Sequence, residues 1–134
     1  MDWNTDELDS VIRKNVADAL AEDIGGGDLA SALADDDAVI GATIIARESM
    51  VVAGRRWVDQ VFAQLNDSIV IDWYIGDGEI AEADDVICKL VGPVRALRSG
   101  ERTALNFLKT LSATATTATT VDVSMVFKID WCRG

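Results

Sequence analysis

Gly92-Pro93-Val94-Arg95-Ala96-Leu97-Arg98-Ser99-Gly100-Glu101-Arg102-Thr103-Ala104-Leu105-Asn106-Phe107-Leu108 is the stretch that sets the architecture. Gly92-Pro93, with the only proline of the chain, breaks the strand pattern before it. Ser99 can cap a helix, and the spacing predicts that helix from Gly100 to about Ser112. Ala104, Leu105, Leu108 and Leu111 form its apolar side. Arg102, Asn106 and Lys109, spaced by four and three, share a polar face. Arg102 then falls in the first turn, where a cation is poorly placed against the helix dipole and could recruit an anion. A surface arginine paired with Glu101 or another carboxylate is the plainer account, and the residues alone favour it.

Upstream of this helix the pattern alternates between two periods. Val86 to Leu90 reads as a strand, preceded by a Gly76-Asp77-Gly78 turn. Ile69, Ile71, Trp73 and Ile75 alternate with Val70, Asp72 and Tyr74, the period of two of a half-buried strand. Gly54 to Leu65 reads as a helix with Trp57, Val58, Val61, Phe62 and Leu65 as its buried stripe. Val39 to Ala46 is a β-branched strand and Met50 to Ala53 a shorter one. At the start, Asn4 and Glu7 have capping-box spacing, and Leu8, Val11, Ile12, Val16, Ala19 and Leu20 share a helical face. That helix should stop at Gly25-Gly26-Gly27. Asp28 can cap a short helix through about Leu33, and Asp35-Asp36-Asp37 reads as a solvated turn. The order of elements implies an α+β fold with an open antiparallel sandwich or half-barrel, not a parallel βαβ series.

The chain has 134 residues, enough for one domain. Its 23 acidic and 12 basic residues give a net charge of -11, which disfavours phosphate backbones and anionic lipid, so neither nucleic acid nor membrane is expected as a partner. No apolar run reaches the roughly 18 residues that a membrane helix needs. The acidic start is wrong for a secretory signal, and Cys88 and Cys132 read as free thiols of a reducing cytoplasm. There is no histidine, which removes Ser/His and Cys/His pairs and the common zinc sites. No phosphate-cradling Gly-Lys-Ser/Thr loop is present. Gly25-Gly26-Gly27, Asp35-Asp36-Asp37, Glu22-Asp23 and Asp84-Asp85 are weak candidates for phosphate, cation or acid-base work, and helix stops and solvated turns explain them better.

Three segments carry a resemblance: Ala21-Glu22-Asp23-Ile24-Gly25-Gly26-Gly27-Asp28-Leu29, Gly54-Arg55-Arg56-Trp57-Val58-Asp59-Gln60-Val61-Phe62, and the Gly92 to Leu108 stretch. In this order and spacing, over roughly residues 8 to 118, the chain resembles the amino-terminal domain of quinolinate phosphoribosyltransferases. Gly100-Glu101-Arg102-Thr103-Ala104-Leu105-Asn106 is the most specific part. The resemblance implies a type II phosphoribosyltransferase amino-terminal fold. It implies a reaction of quinolinate with phosphoribosyl pyrophosphate, with magnesium, to nicotinate mononucleotide, carbon dioxide and pyrophosphate. It also implies a dimer in which this domain covers the mouth of a neighbouring α/β barrel. Arg102 matches the family arginine that binds a quinolinate carboxylate in that neighbouring site. Two parallel charge-assisted hydrogen bonds from a planar guanidinium suit this role.

The family's barrel, with its Asp-Thr-Arg-Lys segment, finds no match here. The expected division is therefore an amino-terminal-like domain over 1–112 and an aberrant or low-complexity tail over 113–134 in place of the start of the barrel. A frameshift, premature stop or gene-boundary error is the expected origin of the tail. Within it, Val121, Val123, Met125, Phe127, Ile129 and Trp131 alternate with Asp122, Ser124, Val126, Lys128 and Asp130, as in an edge strand or in sequence never selected to fold. On these expectations the chain lacks the catalytic barrel, holds no metal itself, and works as a homo-oligomer or beside a full-length homologue. A swinging-arm carrier of the biotinyl or lipoyl type is a third reading, weakened because Lys89 lies in a predicted strand and not at a hairpin tip.

Overall fold

A layer of three helices covers one face of a four-stranded antiparallel sheet in the computed structural model, which describes residues 5–24, 38–116 and 127–133. The elements are α1 (Thr5–Ile24), β1 (Val39–Ala46), β2 (Met50–Val51), α2 (Arg55–Leu65), β3 (Val70–Trp73), β4 (Ile80–Ala81), β5 (Val86–Pro93), α3 (Val94–Thr116) and β6 (Phe127–Arg133). The main sheet has the order β3-β5-β1-β6, and β2 and β4 pair as a separate two-stranded ribbon. This is the expected α+β open sandwich, with no barrel among the described residues. The triple glycine, the Asp28-capped helix, the Asp35-Asp36-Asp37 turn, Asn4 and residues 117–126 of the tail lie outside the described residues.

Burial explains why each element forms where it does. On β1 the inward residues Ala42, Ile44 and Ala46 are buried, and Leu90 and Cys88 of β5 face Ala42 and Ile44 across the ladder. The pairing skips Ile87 between Cys88 and Val86, so the bulge buries two consecutive residues of β5. On α1 the buried residues are Ile12, Val16 and Leu20, while Val11, expected on the same face, is 40% exposed. On α2 Val58, Val61, Phe62 and Leu65 are buried, and Trp57 is half-buried. Gly54 caps α2 at φ 111, a left-handed conformation that favours glycine.

Two departures from expectation concern α3. It starts at Val94, directly after Pro93, and not at Gly100 behind a Ser99 cap. The apolar spacing explains this, because Ala96 and Leu97 are buried in phase with Ala104 and Leu108. Burial of that upstream turn outweighs the capping preference of one serine. Val94 N–H donates to Ala38 O at 2.9 Å, so the helix start is tied to the strand entry of β1. At the other end α3 runs to Thr116, past the expected stop at Ser112. Ser112 is buried, and its hydroxyl bridges the backbone N–H and C=O of Ala53. Part of the tail, Phe127–Arg133, pairs antiparallel with β1 from Ile40 to Ala46, as an edge strand of the main sheet.

Candidate functional site

The Gly100-Glu101-Arg102-Thr103 run divides its residues between two faces of α3. Gly100 is buried where α3 crosses α2: a Cβ there would sit 2.7 Å from Phe62 Cε1 and 2.8 Å from Leu65 Cδ1. Thr103 is also buried, and its Oγ1 donates to Asp23 Oδ2 at 2.6 Å, tying the last turn of α1 to the middle of α3. Arg102, between them in sequence, points the other way and is exposed. Its helix is therefore held on the inner side within one turn of the guanidinium.

Because α3 begins at Val94, Arg102 lies in the third turn, and the partial charge of the helix amino terminus does not reach it. The face it occupies is what distinguishes it. Arg95, Arg98 and Arg102 are exposed, Lys109 is half-buried, and spacings of three, four and seven place all four on the outer side of α3. In a chain with 23 acidic residues, four of the 12 basic ones share this stripe. Among the described residues Arg102 has no ion-pair or hydrogen-bond partner, and it makes no bridge to Glu101. The plain pairing that the residues alone favour is thus not formed there.

The remaining candidates fall into structural roles. A cleft of about 470 Å³ lies between the three helices, lined by Glu22, Asp23, Trp57 and Phe107 among others, with no lysine or arginine on its described walls. Such a lining repels an anion, and the cleft does not include Arg102. Asp84 and Asp85 build the turn before β5: Asp84 has φ 72, and Asp85 Oδ2 accepts from Glu82 N–H at 2.9 Å. No three cysteine, aspartate or glutamate side chains among the described residues come together as a group that could hold a metal ion. Lys89 sits within β5, opposite Thr43 and 5.6 Å from the Tyr74 ring, not at a hairpin tip.

Sequence patterns gave no sign of one cluster. Asp59 on α2 accepts from Trp73 Nε1 at 2.7 Å, and Arg55 lies 5.5 Å over the Trp73 ring. Burial holds the Asp59 carboxyl above its ordinary pKa, against the opposing effects of Trp73 and Arg55. Residues 14 positions apart on a helix and a strand leave no local spacing from which to read this. Cys88, a free thiol as expected, is buried in the core, and burial pushes its pKa up to about 12, so it is unreactive near neutral pH.

Comparison with known proteins agrees with this geometry. A probable nicotinate-nucleotide pyrophosphorylase (carboxylating) of Bacillus subtilis is 36% identical over 95 residues, 71% of this chain and 33% of the relative. A chloroplastic nicotinate-nucleotide pyrophosphorylase of Oryza sativa is 35% identical over 100 residues, 73% of this chain and 27% of the relative. The chain thus spans about a third or less of the curated relatives it matches. Other relatives, from Nicotiana tabacum, are mitochondrial, so the family is not confined to a cytoplasm. No described helix is long and apolar enough to cross a membrane. The solved nicotinate-nucleotide pyrophosphorylase of Francisella tularensis superposes with a TM-score of 0.74 at 38% identity, over 81% of this chain and 38% of that one. The family model described as quinolinate phosphoribosyl transferase, N-terminal domain, matches residues 28–112, and the chain belongs to that family.

Proposed function

We propose that this chain is the dimer-forming, substrate-capping part of a quinolinate phosphoribosyltransferase, and that it contributes Arg102 to a barrel on another polypeptide. The observation that carries the reading is the exposed guanidinium of Arg102, without a partner among the described residues, on a helix locked from behind by Gly100 and Thr103. A guanidinium so placed can hold one quinolinate carboxylate through two parallel hydrogen bonds and orient the pyridine ring. Phosphoribosyl transfer also needs cations and a metal on the leaving pyrophosphate. In this reading the barrel holds those, together with phosphoribosyl pyrophosphate and magnesium, and this chain alone forms no nicotinate mononucleotide.

Complementation tests this directly. The purified chain is mixed with a full-length relative whose arginine aligned with Arg102 is changed to alanine, and nicotinate mononucleotide is measured. Activity should appear with the intact chain and be absent with its Arg102→Ala variant, while both co-purify with the relative. Product from the chain alone, free of host enzyme, would refute the reading. Equal rescue by the Arg102→Ala chain would do the same.

A further inference from the structure

A cavity of about 350 Å³ opens between α2 and β3, and Arg102 does not line it. Phe62 of α2, Ile69, and Ile71 and Trp73 of β3 give it an apolar floor. Asp59, Asp67 and Arg55 are the charged residues on its described walls. Asp59 is half-buried, and its two carboxylate oxygens have different surroundings. Oδ1 accepts from Trp73 Nε1 at 2.7 Å. Oδ2 lies 3.9 Å from Arg55 Nε, beyond hydrogen-bond reach, and accepts from no other donor among the described residues. The Arg55 guanidinium lies over the face of the Trp73 ring, 5.5 Å from its centre. Burial outweighs both Trp73 and Arg55 at this carboxyl and holds its pKa up, so the local charges leave its desolvation uncompensated. Asp67 is exposed and makes no ion pair among the described residues.

We infer that this cavity binds a small protonated amine carried on an apolar chain, with the ammonium on Asp59 and the chain along Phe62, Ile69 and Ile71. Charge selects the head group. Two carboxylates face one arginine, and that arginine is already engaged with Trp73, so an anion is disfavoured and a cation favoured. A half-buried carboxylate oxygen gains most from a charged donor, and an ammonium brings three N–H groups to it. A bare metal ion fits poorly, because no three acidic or cysteine side chains among the described residues come together as a group that could hold one. The floor selects the rest of the ligand: a few converging polar groups on an apolar surface are the usual make-up of a small-molecule site. The inference stands apart from the role of Arg102, which sits on the outer side of α3, and either can fail without the other.

Titration of the isotope-labelled full chain with hexylamine, followed by NMR at the Trp73 indole N–H and the backbone of residues 69–73, tests the inference. The shifts should saturate, and hexanol and hexanoate should each bind at least about tenfold more weakly. Asp59→Asn should weaken hexylamine by at least about tenfold, because a charge-assisted bond is lost. The asparagine oxygen can still accept from Trp73, so the fold is kept, and the spectrum of the variant shows whether it is. Glu48→Gln removes the same charge from an exposed position outside the cavity and should change binding by less than about twofold. Ala63 is exposed on the cavity wall, so Ala63→Leu should fill the space and weaken binding while the fold persists. Shifts that do not saturate overturn the inference. So does hexanol binding as well as hexylamine, which would make the cavity merely apolar. Equal losses in Asp59→Asn and Glu48→Gln would also overturn it, since the net charge of the chain alone predicts those. Binding unchanged by Asp59→Asn or by Ala63→Leu would place the amine elsewhere and overturn it too.

Discussion

The inner and outer faces of α3 carry residues under opposite demands. The inner face is closed by Gly100, Thr103, Ala104, Leu108 and Ser112, all buried, and each is fixed by a neighbour on another element or by the core. The outer face carries Arg95, Arg98, Arg102 and Lys109. Four consecutive residues, Gly100 to Thr103, serve both faces, because a helix turns about 100° per residue. A short motif can therefore be half scaffold and half ligand site. Substitutions on the inner face should change stability, and substitution of Arg102 on the outer face only what the helix can bind.

The largest effect belongs to Gly100. Phe62 and Leu65 are themselves buried and cannot move aside for a new side chain. Gly100→Leu should destabilise the fold by about 3 kcal/mol or prevent folding, through overpacking at the crossing of α2 and α3. This outweighs the gain of roughly 1 kcal/mol that replacing a mid-helix glycine normally brings. Urea unfolding followed by circular dichroism gives the difference, and a variant as stable as the parent would show that the crossing is loose.

Thr103 is intermediate. Its hydroxyl makes a short bond to Asp23, a carboxylate with access to water. Thr103→Val keeps the volume and removes the bond, and Asp23 recovers hydration, so the loss should be about 1 to 2 kcal/mol. Asp23→Asn should have a smaller effect because the amide oxygen can still accept. The same unfolding measurement ranks the two, and equal losses would place the importance of Thr103 in its packing and not in its bond.

The two faces also differ in how readily sequence reveals them. The inner residues announce themselves by period: Ala104 and Leu108 fit the apolar stripe, as Val58, Val61, Phe62 and Leu65 do on α2. Period two likewise marks the strand around Val70–Trp73, while the long β1 shows itself by its β-branched, apolar run. β4 is two residues long, too short to show a period, and forms because Ile80 and Ala81 find β2. α3 starts six residues before the position expected from the sequence, because Ser99 offers a local cap while the burial of Ala96 and Leu97 is decided by distant partners. The earlier start moves Arg102 from the first turn to the third. Its reading as a carboxylate ligand comes from the resemblance, because the helix start at Val94 removes the first-turn position that set Arg102 apart from Arg95 and Arg98. The bond from Thr103 to Asp23 spans 80 positions and the Asp59 cluster joins two elements, so both needed the fold to be seen.

Arg102→Ala should be the smallest change in stability, within about 0.5 kcal/mol of the parent, as for an exposed residue away from any cap or core. Alanine's slightly better helix propensity works in its favour, and no partner among the described residues is left behind. The prediction is informative because it is nearly zero. If the rescued activity falls while the unfolding midpoint stays, the lost function belongs to the guanidinium itself and not to a disturbed helix. Arg102→Lys separates charge from shape: an ammonium keeps the charge but cannot hold a carboxylate by two parallel bonds. Recovery of activity by lysine would show that the outer face works as a diffuse field. A persistent loss would show that it works as a fork at one position, which the rigid anchoring of the inner face is built to hold still.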